Sequence, residues 1–147
     1  MDSKFILLIE DNKDDIELTI RAFQKNNLKN EIVVIKDGGE AMDYFDKLAE
    51  VQPNENPKLP TLILLDLKLP KADGIDILKK IRSIPLTKFT PVVILTSSLE
   101  EQDLFNGYQF GANSYIRKPV DFNKFLNAVQ QLGLYWLLLN ETPKKAG

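Results

Sequence analysis

The clearest structural signal in the chain is the stretch Thr61-Leu62-Ile63-Leu64-Leu65-Asp66. Its run of consecutive apolar residues predicts a strand buried on both faces, as in the centre of a parallel sheet. The run stops at an acid, and the turn pair Asp73-Gly74 follows shortly after it. In open α/β sheets, ligands and chemistry collect at the carboxyl ends of the strands. Asp66 is therefore either an ordinary loop cap or a carboxylate placed to react or to bind a metal.

The rest of the chain alternates strands with amphipathic helices. Apolar runs predict further strands at Phe5–Ile9, Ile32–Ile35, Pro91–Leu95 and Ser114–Ile116. Apolar residues at helical spacing predict a helix after each strand, the first capped by Asn12 and the last beginning near Asp121. We therefore predict an α/β fold, a doubly wound five-stranded parallel sheet in the flavodoxin-like order 2-1-3-4-5, with helices on both faces.

Length and composition predict one domain. The chain has 147 residues, of which 44% are hydrophobic and 27% are charged, and this is enough for one hydrophobic core. We expect a single domain over residues 1–147, with its core at about 4–131, a C-terminal helix extension at about 132–140 and no output domain. The polar segment 51–60 contains three prolines and is interpreted as a loop within that domain.

Charge and residue types exclude several classes of function. A net charge of −2 argues against binding to nucleic acid or to an anionic membrane. The apolar run at 132–139 is shorter than the roughly 20 residues that span a bilayer, and no signal peptide is recognisable, so we expect a cytoplasmic protein. Because the chain has no cysteine and no histidine, disulfides, thiolate metal sites, histidine catalysis and a phosphohistidine on this chain are excluded.

Polar residues follow strands that the predicted order brings to one edge of the sheet. Glu10 and Asp11 end the first strand, which is the predicted neighbour of the strand that ends at Asp66. Carboxylates that converge in this way repel one another and favour a cation, and Mg²⁺ suits oxygen ligands. Thr96 ends the fourth strand and Lys118 follows the fifth. A metal site, a carboxylate nucleophile, a hydroxyl and an ammonium are the parts that phosphoryl transfer to Asp66 requires.

With these residues the chain resembles a response-regulator receiver domain over nearly its whole length. The resemblance lies in Glu10-Asp11, Asp66 with Pro70 and Gly74 downstream, Thr96, and Tyr115-Ile116-Arg117-Lys118-Pro119. It implies that Asp66 is the phosphoacceptor, that the acidic pair binds Mg²⁺ and that Thr96 is the switch hydroxyl. The first acid is Glu10 where Asp is commoner in the family, a change that leaves the metal-binding interpretation intact.

The same resemblance assigns roles to residues that the pattern alone does not. It implies that Asp66 and the backbone carbonyl of Lys68 are further Mg²⁺ ligands and that Lys118 binds the phosphoryl group. It also implies that Tyr115 is the switch aromatic and that a cis peptide bond joins Lys118 to Pro119. A phosphorylated receiver switches the surface formed by its fourth helix, fifth strand and fifth helix.

Finer features resemble stand-alone regulators that are paired with bacterial phytochrome kinases. These features are the opening at residues 10–15, the proline-bearing loop before the third strand and the tail at residues 135–140. The implied partner is a sensor histidine kinase, because the chain has no histidine of its own to phosphorylate. The narrower resemblance implies that this kinase is a phytochrome.

The end of the last helix predicts a homodimer. Its inward stripe continues from Phe125 and Val129 to Trp136, whereas its outer side turns from polar to apolar. The outer apolar residues, which form the predicted dimer surface, are Leu134, Tyr135 and Leu138. An apolar outer face needs a cover from beyond its own domain.

Other functions fit parts of the pattern. A scaffold with the same fold could bind partners without phosphorylation. A flavodoxin-like cofactor binder would need a small-residue loop after its first strand, where Glu10 and Asp11 would repel a phosphate. An aspartate-nucleophile hydrolase has its nucleophile on the first strand with a second Asp two residues on, whereas Lys68 occupies that offset from Asp66.

Structural roles are also open for the same residues. Glu10 and Asp11 could cap the first helix, since acids favour its positive end, and Thr96 could cap the helix that follows. Tyr115 could simply pack at the edge of the sheet. Lys118 could be a solvated loop lysine, and the basic stretch 79–82 is interpreted as a solvated helix face.

Overall fold

Five parallel strands form a sheet in the order β2-β1-β3-β4-β5. The structure is a computed structural model that describes residues 5–118, 121–133, 136–137, 141 and 143. The strands are β1 (Phe5–Ile9), β2 (Glu31–Ile35), β3 (Leu62–Leu65), β4 (Val92–Thr96) and β5 (Ser114–Arg117). The predicted fold class and strand order are confirmed. Predicted strand ends differ from the observed ones by one residue at β2, β4 and β5, and β5 extends to Arg117 because Arg117 pairs with Thr96.

One helix follows each strand. The helices are α1 (Lys13–Lys25), α2 (Gly38–Ala49), α3 (Gly74–Ser83), α4 (Glu101–Gln109) and α5 (Phe122–Leu132). Asn12 caps α1 as predicted, and aspartates cap α2, α3 and α5 by accepting hydrogen bonds from amides of their first turns. The helix α4 begins without a side-chain cap. Among the described residues no helix is long and apolar enough to cross a membrane.

The hydrophobic core has a layer on each face of the sheet. Along β1, Phe5, Leu7 and Ile9 point into the layer that α2 and α3 cover. Ile6 and Leu8 point into the opposite layer, which α1 and α5 cover. Since successive side chains of a strand alternate between faces, helices on both faces explain why β1 and β3 are continuous apolar runs.

The inward stripe of α5 packs as the sequence predicts. Phe125 and Val129 are buried, and Trp136 packs partly buried against the same layer. The helix ends at Leu132, and a Cβ on the next residue, Gly133, would lie 2.3 Å from Leu28 Cδ1. A larger residue here would force the end of the Leu28 side chain to shift. The predicted dimer surface (Leu134, Tyr135 and Leu138) and Pro119, which the predicted cis bond involves, lie outside the described residues.

The interpretation of the basic stretch on α3 as a solvated face was wrong for Arg82. Its guanidinium is half-buried and donates to backbone carbonyls of Thr87, Lys88, Thr90 and Gly111 and to Asn113 Oδ1. Gly111 has a φ of 105°, a conformation that favours glycine. Arg82 thereby joins α3 to the turns that precede β4 and β5. Its partners become neighbours only in the folded chain, so the local sequence pattern could not identify this role.

Candidate functional site

Three carboxylates meet at the carboxyl end of the sheet. Glu10 and Asp66 follow paired residues of β1 and β3, since Ile9 is the register partner of Leu65. The amide of Asp66 donates to the carbonyl of Ile9 at 3.0 Å, which continues the pairing one residue beyond the strands. One carboxylate oxygen each from Glu10, Asp11 and Asp66 lies within 4.8 Å of the others. Glu10 and Asp66 are buried, whereas Asp11 is exposed.

The ammonium of Lys118 lies among these acids. Its Nζ donates to Glu10 Oε1 at 2.6 Å and to Asp15 Oδ2 at 2.7 Å, and it lies 3.7 Å from Asp66 Oδ2. The Lys118 side chain is 16% exposed. Its backbone is fixed at the edge of the sheet because the Lys118 amide donates to the carbonyl of Thr96 at 2.7 Å. The structure thus brings together Lys118 with the predicted phosphoacceptor and one of the predicted metal ligands.

The pKa values of the buried charges reflect this crowding. The pKa of Glu10 is raised from 4.5 to about 7. Burial is the largest cause of this higher pKa and the charge of Asp66 adds to it, whereas the hydrogen bond from Lys118 opposes it. Burial alone would lower the pKa of Lys118, yet hydrogen bonds to Asp15 and Glu10 raise it above its ordinary value. Among the described residues, Glu10, Asp15 and Asp66 thus share the ammonium of Lys118.

The donor set fits a divalent cation. Carboxylate oxygens are the ligands that Mg²⁺ and related hard cations prefer, and Glu10, Asp11 and Asp66 each bring one such oxygen to the same place. Lys68 lies two residues after Asp66, and its amide donates to Asp66 Oδ1 at 3.2 Å. This bond places the Lys68 backbone beside the acids, and its carbonyl remains a predicted ligand.

Thr96 and its neighbours connect the end of β4 to α4. The buried Thr96 hydroxyl oxygen accepts a hydrogen bond from the Ser98 amide at 3.2 Å. The Ser98 hydroxyl donates to Asp103 Oδ2 at 2.6 Å, and Lys68 Nζ lies 3.3 Å from the same oxygen. The Ser98 hydrogen bond is the largest cause that lowers the pKa of Asp103. Ser98, which follows β4, and Lys68, in the loop after β3, are thereby linked to Asp103 in the first turn of α4.

Tyr115 lies under α4 at the edge of the sheet. Its ring centroid is 6.4 Å from that of Tyr108, and its hydroxyl is buried without a hydrogen-bond partner among the described residues. Burial, followed by the charge of Asp103, raises the pKa of the Tyr115 phenol. A Cβ on Gly107 would lie 3.2 Å from Tyr115 Cδ2 and 2.9 Å from Ile94 Cδ1. Glycine at this position therefore lets α4 pack closely over the aromatic ring.

Two acids of this region were not assigned from the sequence. Asp15 lies in the first turn of the helix that Asn12 caps, shortly after Glu10 and Asp11 in the chain, so its position near these acids could have been predicted. Asp103 could not, because its contacts with Ser98 and Lys68 depend on how α4 is placed over the sheet.

The family follows from comparison with known proteins. A family model described as "Response regulator receiver domain" matches residues 6–130. The chain belongs to the response regulator receiver family. Members of this family are signalling phosphoacceptors, so the fold and the acidic site match the family's chemistry.

Relatives of similar length support the membership. The chain is 36% identical over 145 residues to the probable methanogenesis regulatory protein FilR2 of Methanothrix harundinacea (strain 6Ac). This match covers 99% of this chain and 91% of FilR2. It is 37% identical over 134 residues to the response regulator Rcp1 of Synechocystis sp. (strain ATCC 27184 / PCC 6803 / Kazusa), over 91% of this chain and 89% of Rcp1.

Solved structures of phytochrome response regulators are also similar. The phosphorylated cyanobacterial phytochrome response regulator RcpA is 38% identical, with a TM-score of 0.80 over 95% of this chain and 98% of RcpA. The bacteriophytochrome response regulator AtBRR is 47% identical, with a TM-score of 0.70 over 96% of this chain and 100% of AtBRR. The Mn²⁺-bound form of Rcp1 is 34% identical, with a TM-score of 0.78 over 95% and 99% of the two chains. Receiver domains bind divalent metal, and the acidic cluster of this chain fits such a site.

Proposed function

We propose that this protein is a two-component response regulator that accepts a phosphoryl group from a sensor histidine kinase on Asp66. The observation that carries the proposal is the position of Asp66. Its carboxylate is buried at the end of a central strand, within 4.8 Å of oxygens of Glu10 and Asp11 and 3.7 Å from the Lys118 ammonium. A carboxylate in these surroundings has both a cation site and a fixed positive charge for a phosphoryl group.

The chemistry requires little of the protein beyond placement and charge. An oxygen of Asp66 forms a bond to phosphorus while the bond between phosphorus and the kinase histidine breaks, and that electron pair stays on the imidazole. Glu10, Asp11, Asp66 and the Lys68 carbonyl would hold Mg²⁺. When bound, Mg²⁺ neutralises charge on the phosphoryl oxygens. Lys118 stabilises the same charge from the other side. The protein then assists its own phosphorylation and dephosphorylation and is otherwise no enzyme.

The phosphoryl group would be sensed through Thr96 and Tyr115. The Thr96 hydroxyl lies at the carboxyl end of β4, and in the proposed switch it donates to a phosphoryl oxygen. The Tyr115 hydroxyl is buried without a hydrogen-bond partner among the described residues, which costs about 1–3 kcal/mol. A different rotamer that gives this hydroxyl a partner would therefore be favourable. A rotamer change of Tyr115 under α4 would alter the surface formed by α4, β5 and α5. The two states of this surface constitute the signal.

The proposed partners are a histidine kinase and a second copy of the chain. Similarity to phytochrome response regulators supports a phytochrome as the kinase, although FilR2 is named for a different process. The proposed homodimer uses Leu134, Tyr135 and Leu138, and support comes from the burial of Phe125 and Val129, which form the inward stripe that the sequence predicts for the last helix. No nucleic acid or membrane partner is proposed, and we propose the cytoplasm as the location.

Small phosphodonors provide the test. Purified protein incubated with acetyl phosphate and MgCl₂ should gain the mass of one phosphoryl group, and excess EDTA should prevent the gain. Asp66→Asn should gain nothing, whereas Asp76→Asn, which changes an exposed acid on α3, should be labelled like the parent. Labelling of Asp66→Asn to the same extent would exclude Asp66 as the acceptor. A protein that gains no phosphoryl group but still binds its partner would favour the scaffold interpretation.

A further inference from the structure

Lys118 is closer to Asp15 than to the proposed phosphoacceptor. Its Nζ lies 2.7 Å from Asp15 Oδ2 and 3.7 Å from Asp66 Oδ2. Glu10 Oε1 accepts a further hydrogen bond from the ammonium at 2.6 Å. An ammonium group has three protons to donate, so two are used by Glu10 and Asp15. Asp66 receives the weakest of these contacts.

Asp15 is held rigidly in the first turn of α1. Its amide donates to Asn12 Oδ1 at 2.9 Å, and its carbonyl accepts from the Thr19 hydroxyl at 2.8 Å. Thr19 is buried. These bonds fix the backbone of Asp15, so the carboxylate approaches Lys118 from the first turn of α1. The short Asp15–Lys118 contact is therefore a property of the fold rather than of a mobile surface acid.

Lys118 itself has room to move. A cavity of about 90 Å³ adjoins it between α1 and α5. The residues that line the cavity are Glu10, Asp15, Leu18, Thr19, Leu95, Lys118 and Phe125. An ammonium beside this space can shift between its carboxylate partners without displacing packed side chains. Its position is thus set by the balance of charges around it.

We propose that Asp15 is a positioning residue that draws the Lys118 ammonium away from Asp66 and so restrains the contact of Lys118 with an arriving phosphoryl group. The inference rests on the proposed function. Asp15 and the phosphoryl oxygens compete for the same ammonium, and the Asp15 charge also repels an anionic phosphodonor. When Glu10 is engaged by a metal, Asp15 is the acid that still holds Lys118.

The first test needs no phosphorylation. Carbon–proton correlation NMR of the Lys118 ε-methylene group, assigned with Lys118→Arg, reports the surroundings of the ammonium in metal-free protein. We expect Asp66→Asn to move this resonance more in an Asp15→Asn background than in the parent, because Lys118 then depends more on Asp66. An equal shift in both backgrounds would overturn the proposal.

The second test measures the rate of phosphorylation. At saturating MgCl₂ we expect Asp15→Asn to be phosphorylated by acetyl phosphate faster than the parent, by about two- to fivefold, the range that a partly exposed ion pair gives. Part of this increase in rate should appear as a lower concentration of acetyl phosphate needed to half-saturate Asp15→Asn. Asp15→Glu, which restores the charge, should return the rate toward that of the parent.

Asp14→Asn is the matched control. Asp14 has the same charge and lies in the same first turn, but it is exposed and makes no ion pair with any residue that the structure describes. Both variants lose the same favourable interaction with the helix N-terminus. A rate for Asp15→Asn at or below that of Asp14→Asn would overturn the proposal. Failure of the parent to be labelled would instead refute the proposed function, and the NMR comparison would still decide the role of Asp15.

Discussion

Replacing Lys118 with methionine removes the ammonium from a cluster of buried acids while keeping most of the apolar stem. Glu10 and Asp66 side chains are 3% and 7% exposed, so they would be left close together with no positive charge beside them. In metal-free protein we therefore expect a lower free energy of unfolding. Mg²⁺ supplies the missing positive charge, so saturating MgCl₂ should reduce the loss.

The size of the loss follows from the burial of the partners. Removing one partner of a fully buried ion pair costs about 3–5 kcal/mol. Asp15 is 33% exposed and regains water when Lys118 is lost. Glu10 already has a pKa of about 7, so it takes up a proton instead of remaining charged. We therefore expect a loss of about 2 kcal/mol at neutral pH in EDTA, and less than about 1 kcal/mol with saturating Mg²⁺.

Urea unfolding followed by the fluorescence of Trp136, the one tryptophan of the chain, measures both values. Lys124→Met, which changes an exposed lysine on α5, is the matched control and should lose less than about 0.5 kcal/mol in either buffer. A Lys118→Met variant as stable as the parent in EDTA would refute the placement of Lys118 as the counter-charge of the acids. An equal loss in the free energy of unfolding with and without Mg²⁺ would refute the idea that the metal and the ammonium neutralise the same acids.

Three further predictions concern the metal, the switch and the dimer. Glu10 binds a proton more readily in the folded protein than its ordinary pKa of 4.5 implies, so the free energy of unfolding of metal-free protein should fall as the pH rises toward about 7. Mg²⁺ affinity, measured by calorimetry, should rise from pH 6 to 8, and an affinity that does not change with pH would contradict this. Thr96→Ala should still be phosphorylated but show no phosphorylation-dependent change in partner binding; a fully responsive variant excludes the Thr96–Tyr115 route. Leu134→Ser/Leu138→Ser should weaken self-association in sedimentation equilibrium at least tenfold, about 1.4 kcal/mol, and unchanged association would exclude this surface.

The sheet could be predicted because its central strands are buried on both faces. Continuous apolar runs such as Phe5–Ile9 and Leu62–Leu65 leave little alternative to a parallel sheet covered on both sides. The strand order then places Glu10, Asp11 and Asp66 at one edge, and this juxtaposition is what the structure has.

Contacts between distant elements could not be predicted in the same way. Lys118 and Asp15 are 103 residues apart, and their ion pair depends on the docking of α1 beside the end of β5. Arg82 was misinterpreted for a similar reason, because its carbonyl partners lie on the turns before β4 and β5 and are brought together only by the fold. Periodicity identifies which face of an element is buried, but it does not show which polar group a long side chain reaches.

The central claim is that Asp66 accepts the phosphoryl group, and chemical trapping of the acyl phosphate tests it most directly. Protein labelled with acetyl phosphate and MgCl₂ is reduced with borohydride, which converts an aspartyl phosphate to homoserine, and its peptides are sequenced by mass spectrometry. Homoserine should be found at position 66, and omitting the phosphodonor or the metal should abolish it. Homoserine at another aspartate, or none in protein that has gained a phosphoryl group, would contradict the assignment of Asp66.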